Sequence, residues 1–192
     1  SKTGANTVNV NGETLTNMKK AAIYDSWTDA SNNKIVAKIG NAGTAWRIYE
    51  GNTTPLLTSL FKGVVTVTGL DSKTTTYNGT TQTVDLSSVT YSPENIDTSH
   101  LYAGSNRNAG TYSTIYSDQQ GYDLVNTSTL IISPKTLTAT LTGNTGNTYA
   151  FTKTYDGGTD VKQALGNNYS FATGDIESVD AGKVSLTAGT GA

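Results

Sequence analysis

The chain has no cysteine, one histidine, one methionine and three prolines in 192 residues. Without cysteine it forms neither disulfide bonds nor thiolate metal sites. Because His100 is the single histidine, a metal cluster built on several imidazoles is also excluded. The absence of cysteine suits a protein that crosses membranes unfolded, although many cytosolic proteins share it. These absences therefore exclude disulfide bonds and several kinds of metal site, but they do not determine where in the cell the protein is located.

Charge is scarce as well, because only 15% of the residues are charged and the formal net charge is -2. The 13 lysines and arginines are scattered, and the one basic pair, Lys19 and Lys20, is typical of a solvated turn. Nucleic-acid binding depends on clustered basic residues, so we predict no nucleic-acid partner. No apolar run approaches the roughly 20 residues that span a bilayer, so we predict no membrane insertion. The first residues lack a signal-peptide pattern, and we expect any export signal to lie outside this chain.

Hydrophobic residues account for only 35% of the chain, which is low for an ordinary soluble domain. Uncharged residues, chiefly Thr, Asn, Ser and Gly, are abundant in their place. Disordered chains usually combine low hydrophobicity with a high net charge. Here the net charge is small, and Val, Ile, Leu and Tyr recur at regular intervals. We therefore predict a folded, all-β chain that is built from several small units.

Short alternating segments before residue 46 predict strands and hairpins. They are Thr7–Val10, Ala21–Tyr24 and Lys34–Gly40. A competing interpretation makes Met18–Tyr24 one helical turn, because single-sequence patterns distinguish the two poorly over so few residues.

The stretch from Trp46 to Gly69 separates a segment that holds both tryptophans from a Thr-rich region. Few other large apolar groups precede it, so we predict that Trp27 and Trp46 belong to the core, where an aromatic side chain buries roughly 150–250 Å². The competing hypothesis is an exposed platform on which sugars stack. Val64–Gly69, rich in β-branched residues, is predicted to be the first strand of the region that follows.

A strand that ends in Thr-Gly and is followed by Thr-Tyr-[Asn/Asp]-Gly occurs twice. Tyr77 precedes the first Asn-Gly turn and Tyr155 precedes the Asp-Gly turn, 78 positions later. Asn-Gly and Asp-Gly supply the positive φ angles of a tight turn, and the tyrosine can pin that turn to the core. The spacing equals the length of a small β-sandwich, so the pattern predicts two units in tandem.

Further strand-like segments lie between the two tyrosines, and Pro134 ends the first unit. They are Thr83–Leu86, Val89–Tyr91, Asn108–Tyr116 and Ser128–Ser133. Alternation along Asn108–Tyr116 predicts that Tyr112, Thr114 and Tyr116 share one face and Ile115 the other. If the tyrosine face is the outer one, Tyr112 and Tyr116 are candidate glycan contacts.

The segment Trp46–Gly51 together with Thr54–Leu57 resembles the end of the β-helical part of two-partner-secreted, filamentous-haemagglutinin-like bacterial adhesins. The segments Tyr77–Thr80, Asn108–Tyr112 and Leu130–Lys135 resemble their MBG-type repeats. Thr154–Gly157 resembles the related YDG-type repeat. The resemblance implies structural roles for nine residues: Trp46, Gly51, Pro55, Tyr77, Gly79, Gly110, Tyr112, Tyr155 and Gly157.

The resemblance also implies an elongated architecture, in which the end of a β-helix or β-hairpin stack is followed by tandem small β-sandwich repeats. The expected domains are a β-rich cap at residues 1–63, an MBG-like repeat at 64–135 and a partial YDG-like repeat at 136–192. By the same resemblance, we expect that later strands of the second repeat are missing after Ala192. We expect either that the chain is an excerpt of a longer protein or that a neighbouring copy fills the open edge.

The candidate catalytic and metal-binding residues each have a simpler structural interpretation. His100 could complete a Ser-His-Asp triad, but no G-x-S-x-G motif surrounds a serine, so a surface loop is the simpler interpretation. Glu94 and Asp97 could form a carboxylate pair, yet they flank a proline turn. Four oxygen-bearing side chains lack the spacing of a calcium loop: Asp25, Asp29, Asn32 and Asn33.

Four Asn-x-Ser/Thr acceptor patterns begin at Asn52, Asn78, Asn126 and Asn168, as chance allows in a chain rich in these residues. The favoured hypothesis is a non-catalytic stalk segment of a secreted adhesin at the bacterial surface, with no cofactor and no metal. Its expected partners are neighbouring repeats and a host or bacterial surface glycan or protein. The alternatives are a carbohydrate-binding module and a fibre subunit that self-associates by strand addition.

Overall fold

The structure is a computed structural model that describes residues 12–142, 148–155, 169–171 and 174–184. Strands account for 34% of the chain and helices for 12%, in several small sheets. The prediction of an all-β fold is confirmed at the level of class. The predicted strand Thr7–Val10 and the turn that contains Gly157 lie outside the described residues.

Within the described residues, helical structure is confined to single turns. The α-helix α1 spans Leu15–Met18 and is capped by the hydroxyl of Thr14, which accepts a hydrogen bond from the Asn17 N–H over 3.2 Å. The 3-10 turns span Ala21–Tyr24, Thr58–Leu60, Thr98–His100 and Ser178–Asp180.

The strands are mostly short. In chain order they are β1 Val36–Ala37, β2 Trp46–Arg47, β3 Leu56–Leu57, β4 Val64–Thr68, β5 Lys73–Thr76, β6 Gln82–Thr83, β7 Thr90–Ser92, β8 Leu101–Ala103, β9 Ser105–Asn106, β10 Gly110–Ser113, β11 Ile115–Ser117, β12 Asp123–Val125, β13 Thr129–Ser133, β14 Lys135–Thr142, β15 Thr148–Tyr155 and β16 Tyr169–Phe171. The predicted strand at Val64–Gly69 is confirmed as β4.

Six sheets join these strands. Three-stranded sheets have the orders β1-β2-β3, β12-β4-β7, β10-β13-β5 and β15-β14-β16, and two-stranded sheets pair β6 with β9 and β8 with β11. Strand β4 pairs in parallel with β12 and antiparallel with β7. Because β4 and β12 are parallel, a long connection separates them along the chain.

The contacts divide the chain into two compact units. Among the described residues, the first unit comprises 12–73, 82–106 and 111–131, and the second comprises 74–81, 107–110 and those from 132 to 184. The predicted domain boundaries at 63/64 and 135/136 concern repeat units and stay predictions. By contacts alone, the strands on both sides of Gly63 belong to one unit.

The core of the first unit forms around β4, whose residues alternate between exposed and buried. Val65 and Val67 point inward and pack with Tyr49, Ile115 and Leu124, which are all at least 93% buried. A smaller cluster contains Ala21, Tyr24 and Ile48. The period of two along β4 is therefore the pattern of a half-buried strand.

The N-terminal predictions need two corrections. The segment Ala21–Tyr24 is a 3-10 turn and not a strand, which agrees with the helical alternative. Its geometry is held by the Tyr24 hydroxyl, which donates to the Met18 carbonyl over 2.7 Å. A contact between a side chain and the backbone thus outweighs the alternating pattern.

The tryptophans were predicted to be core residues, yet both are only half-buried. Trp27 contacts Tyr24 edge to face with 4.9 Å between ring centroids, and it borders the small cluster instead of filling it. Beside Trp46, the buried positions belong to Arg47, Ile48 and Tyr49. The interior at this point therefore accommodates a cation and a phenol in place of an indole.

The long strand predicted at Asn108–Tyr116 is interrupted at Thr114. Strand β10 ends at Ser113, and β11 begins at Ile115 in a different sheet. Thr114 is fully buried, and its carbonyl accepts a hydrogen bond from the Gly104 N–H over 2.7 Å. The break means that Tyr112 and Tyr116 do not share one strand face, contrary to the prediction.

In the second unit, β14 lies between β15 and β16 and pairs antiparallel with both. Lys135 is opposite Tyr155, and Ala139 is opposite both Phe151 and Phe171. The Tyr77 N–H donates to the Ser133 carbonyl over 2.8 Å.

Candidate functional site

A buried ion pair lies at the centre of the first unit. Arg47 lies on β2 with 2% of its surface exposed, and Asp123, the first residue of β12, is 6% exposed. Arg47 Nε and Asp123 Oδ1 are 3.2 Å apart, although their alignment does not make a hydrogen bond. We call Arg47, Asp123 and Tyr49 the buried hub.

The guanidinium of Arg47 binds backbone carbonyls from three parts of the unit. Its Nη1 donates to the carbonyls of Lys38 and Ile48, and its Nη2 donates to the Leu124 carbonyl over 3.3 Å. Burial lowers the pKa of Arg47, whereas the neighbouring Tyr49 and Asp123 oppose that change. Arg47 therefore acts as a cross-link between loop and strand backbones.

Tyr49 continues this network. Its ring lies beneath the guanidinium of Arg47, 4.1 Å from ring centroid to Cζ. Its hydroxyl donates to the Tyr122 carbonyl over 2.8 Å and accepts from the Leu124 N–H over 3.0 Å. Asp123 contributes a further link, since its Oδ2 accepts from the Asn41 N–H over 2.8 Å. Burial raises the pKa of Tyr49 far above its ordinary value.

This raised pKa predicts a sensitivity to alkaline pH. The unfolded chain releases the Tyr49 proton near pH 10, whereas the folded chain holds it. The stability that Tyr49 contributes is therefore complete below about pH 10 and is lost as pH rises towards the folded-state pKa. We expect the free energy of unfolding to fall above pH 10 by about 1.4 kcal/mol per pH unit for this one proton.

Urea unfolding between pH 8 and 11.5, followed by tryptophan fluorescence, measures this slope for the first unit, which contains both tryptophans. Tyr49→Phe is the control, because it removes the titrating hydroxyl. It should be less stable than the parent chain at pH 8 and have a flatter slope above pH 10. An equal slope in both proteins would show that Tyr49 is not the responsible group.

A shallow cavity of about 220 Å³ borders the hub. Its walls include Asn41–Thr44, Phe61 and Val64, and both Arg47 and Asp123 contribute to its lining. However, Arg47 Nε and Asp123 Oδ1 are buried from solvent and face each other. These charges therefore hold the unit together and do not present reactive atoms to the cavity.

Tyr77, a predicted motif residue, is 5% exposed, and its hydroxyl binds the buried carboxylate of Asp180. Gly79 follows with φ +73°, and a Cβ there would lie 2.9 Å from the Glu177 Cβ. Glu177 Oε1 also lies 2.6 Å from Lys135 Nζ. The Asn-Gly turn is thus packed against the 3-10 turn Ser178–Asp180 of the same unit.

The remaining predicted motif residues lie at separate places. Trp46 begins β2, Pro55 immediately precedes β3 and is half-buried, and Gly110 begins β10. Tyr155 ends β15, and Gly157 lies outside the described residues.

Gly51 and Tyr112 contact each other directly. Gly51 has φ +74°, and a Cβ at this position would lie 2.1 Å from Cδ1 of Tyr112. The Ser113 N–H donates to the Glu50 carbonyl over 2.9 Å in the same region. Tyr112 therefore packs against the turn after β2 and is half-buried, and its candidate role as a glycan contact stays a prediction.

Tyr116 lies between the buried Ile115 and Ser117 of β11. It is half-buried, and part of its side chain packs against the core cluster around Val65 and Val67. It lies directly opposite Tyr102 of β8, with 5.2 Å between ring centroids and 27° between ring planes. We call this pair the tyrosine face. Asp118 lies beside it and accepts a hydrogen bond from the Tyr102 hydroxyl over 3.0 Å.

Three of the other candidate residues, His100, Asp97 and Asp29, bind neighbouring side chains or the backbone. His100 Nδ1 lies 2.9 Å from Asp118 Oδ2. Asp97 caps the 3-10 turn Thr98–His100 and pairs with Lys62 over 2.9 Å, which, with the Ser99 hydrogen bonds, keeps the pKa of Asp97 well below its ordinary value. Asp29 accepts hydrogen bonds from Asn33.

Among the described residues, no three His, Cys, Asp or Glu side chains converge as metal ligands. Within the same ranges, no helix has the length and apolar character required to cross a bilayer.

Comparisons of the chain with models of known protein families, with curated proteins and with solved structures find no match. The functional argument therefore depends on the residues and contacts described above.

The sequence analysis of Trp46–Gly51 predicts a buried tryptophan and does not predict the buried hub. One signal was present: an arginine followed by Ile48 and Tyr49 occupies an inward position of an alternating segment. A charged residue at such a position indicates a buried partner of opposite charge. The sequence does not identify that partner, which lies 76 positions away.

Proposed function

We propose that the chain is a non-catalytic structural segment of a large secreted bacterial surface adhesin, with a role in cell adhesion or biofilm formation. Within this proposal, residues 1–63 cap a β-helix or hairpin stack, and 64–135 and 136–192 are MBG-like and YDG-like β-sandwich repeats. The adhesin identity comes from the resemblance of the motifs. The way the chain uses its buried polar groups supports the structural role.

The main observation that supports a structural role is that buried polar side chains of the described residues connect distant segments. Arg47 binds carbonyls of Lys38 and Leu124, and Asp123 binds the Asn41 N–H. In the second unit, Asp180 binds the Tyr77 hydroxyl. Each bond fixes one stretch of chain to another, and such buried networks rigidify a β unit that has no disulfide bonds.

Hydroxyl groups are used in the same way. The Thr114 hydroxyl lies 2.6 Å from the Ser128 hydroxyl, and the Asn126 amide donates to Thr114 over 2.9 Å. The Ser117 hydroxyl accepts from the Tyr122 N–H over 2.9 Å. A chain with little charge and modest apolar content can use such bonds to define its loops, since a satisfied buried network rigidifies the structure around it.

Surface labelling tests the proposed location. Antibodies raised against the recombinant chain should label intact cells of the producing bacterium, or the material that those cells release, and external protease should remove the cell-bound signal. An abundant cytoplasmic protein serves as the control and should be labelled only after permeabilisation. If the chain is labelled only in permeabilised cells and is absent from the medium, the adhesin proposal is wrong.

A carbohydrate-binding role is a second candidate, because one observation favours it specifically. The exposed ring of Tyr102 is stacked on the half-buried ring of Tyr116, one of the two predicted glycan contacts.

A further inference from the structure

The tyrosine face presents an aromatic surface at a fixed orientation. Along β8, Tyr102 is exposed between the half-buried Leu101 and Ala103, and along β11, Tyr116 lies between the buried Ile115 and Ser117. The pairing of Tyr102 with Tyr116 places the rings side by side, and Tyr102 is 38% exposed. Among the large hydrophobic residues that the described ranges expose, Tyr102 is the one aromatic residue.

Polar contacts hold Tyr102 and the adjoining carboxylate in place. Asp118 Oδ2 accepts from the Tyr102 hydroxyl over 3.0 Å and lies 2.9 Å from His100 Nδ1, and Oδ1 accepts from the Gln120 N–H over 2.9 Å. The Asp118 side chain is still 41% exposed. An ionised carboxylate accepts about four hydrogen bonds, so Asp118 keeps acceptor capacity on its exposed side.

The charges near the tyrosine face disfavour an anionic ligand. Asp118 is adjacent to it, and the nearby cation Lys62 is already paired with Asp97 over 2.9 Å. Lys62 Nζ also lies 5.7 Å from the ring centroid of Tyr122. A second negative charge would meet Asp118 without a free cation opposite it among these residues.

We propose that the tyrosine face and Asp118 form a binding site for a neutral sugar. The C–H side of a pyranose ring stacks on the exposed face of Tyr102, and a sugar hydroxyl donates a hydrogen bond to Asp118. A single exposed ring is too small for a stable protein interface, which buries about 1,200–2,000 Å². Its area matches one sugar residue, which an aromatic ring can contact by stacking while a fixed carboxylate accepts a hydrogen bond.

This site is independent of the adhesin proposal, because it depends only on the contacts of β8, β11 and Asp118. The pre-formed hydrogen bonds reduce the ordering that binding requires, which favours a small ligand. The negative charge of Asp118 also predicts which glycans bind. Neutral hexoses and N-acetylhexosamines are preferred over sialylated or sulfated glycans.

The test uses the full chain on an array that carries glucose-, galactose-, mannose- and N-acetylhexosamine-terminated glycans with their sialylated counterparts. The neutral glycan retained best is then titrated while the ring signals of the tyrosines are recorded by NMR. We expect retention of at least one neutral class, with shifts at the Tyr102 and Tyr116 rings. Retention of sialylated glycans alone, or no retention, overturns the proposal.

Three variants locate the site. Tyr102→Ala should weaken binding about tenfold or more, since the loss of a stacking partner costs on the order of one factor of ten. Tyr102→Phe keeps the ring and should retain binding within a few-fold, and Asp118→Asn should weaken binding while leaving the ring stack in place. Leu60→Ala, which removes an exposed hydrophobic side chain elsewhere in the unit, is the matched control and should bind like the parent chain.

Two outcomes contradict the site even if a glycan binds. The first is unchanged affinity in Tyr102→Ala with a parent-like spectrum. The second is a set of ring shifts at other tyrosines with none at Tyr102; this measurement uses the parent chain and decides the matter if Tyr102→Ala fails to fold. Surface labelling of cells is unaffected by either result, so failure of the sugar site leaves the adhesin proposal to its own test.

Discussion

Replacing Arg47 with methionine is expected to lower the free energy of unfolding of the first unit by about 3–5 kcal/mol, the usual cost of breaking a buried ion pair by removing one partner. The substitution leaves Asp123 94% buried without its cation and frees the carbonyls of Lys38, Ile48 and Leu124 from their donor. Methionine fills much of the volume, so the loss arises from polar groups and not from a cavity.

The same reasoning predicts the behaviour of the partner. Asp123→Asn keeps an acceptor for the Asn41 N–H but leaves the Arg47 charge without compensation, so it should also be strongly destabilising. The double variant Arg47→Met with Asp123→Asn contains no unpaired buried charge. It should be more stable than the sum of the two single losses predicts, because the two sites are in direct contact.

Lys62→Met is the matched control for the hub. Lys62 pairs with Asp97 over 2.9 Å, yet the two side chains are 43% and 49% exposed. Exposed ion pairs contribute little because water screens them, so this variant should unfold like the parent. Urea titration followed by tryptophan fluorescence measures all four variants. Equal midpoints for Arg47→Met and Lys62→Met, or strict additivity in the double variant, would contradict a buried coupled pair.

The local pattern of apolar and polar residues predicted some strands of this structure well. It predicted poorly which distant residues pair with one another. Val64–Thr68 could be predicted because its β-branched residues alternate, and alternation is a property of the segment itself. The partner of Arg47 could not be predicted, because nothing within the segment around Arg47 encodes a contact with Asp123. The hydrogen bond between Tyr77 and Asp180 spans 103 positions and has the same character.

The predicted glycan contacts Tyr112 and Tyr116 illustrate both the success and the failure of local pattern. Alternation predicted different environments for Tyr116 and Ile115, and in the structure Ile115 is buried whereas Tyr116 is half-buried. It failed at Tyr112, because it assumed one continuous strand through Thr114. The buried hydroxyl of Thr114 bonds to Ser128 and Asn126, and this tertiary network ends the strand. Only the folded chain brings Tyr102 of β8 beside Tyr116 of β11, since β9 and β10 lie between them along the chain.

Gly104→Ala should be the most damaging of the single-methyl substitutions in this region, with an expected loss of about 3 kcal/mol in the free energy of unfolding. A Cβ at Gly104 would lie 2.0 Å from the Ser113 carbonyl oxygen and 2.9 Å from the carbonyl group of Thr114. Both neighbours are backbone and cannot turn aside as a flexible side chain could. The Gly104 N–H also donates to the Thr114 carbonyl, so any shift breaks this bond.

Gly43→Ala separates this clash from the general cost of replacing a glycine. Gly43 has φ +69°, and a Cβ there would have no atom within 4 Å, so alanine meets backbone strain alone, about 1 kcal/mol. The difference between the two variants in urea unfolding therefore measures the close approach of Gly104 to the backbone after β10. Because Gly104 lies against the backbone at the break between β10 and β11, Gly104→Ala should also perturb the ring signals of Tyr102 and Tyr116, whereas Gly43→Ala should not. Similar stabilities for the two variants, with unperturbed tyrosine signals in both, would show that the strand break does not depend on this glycine.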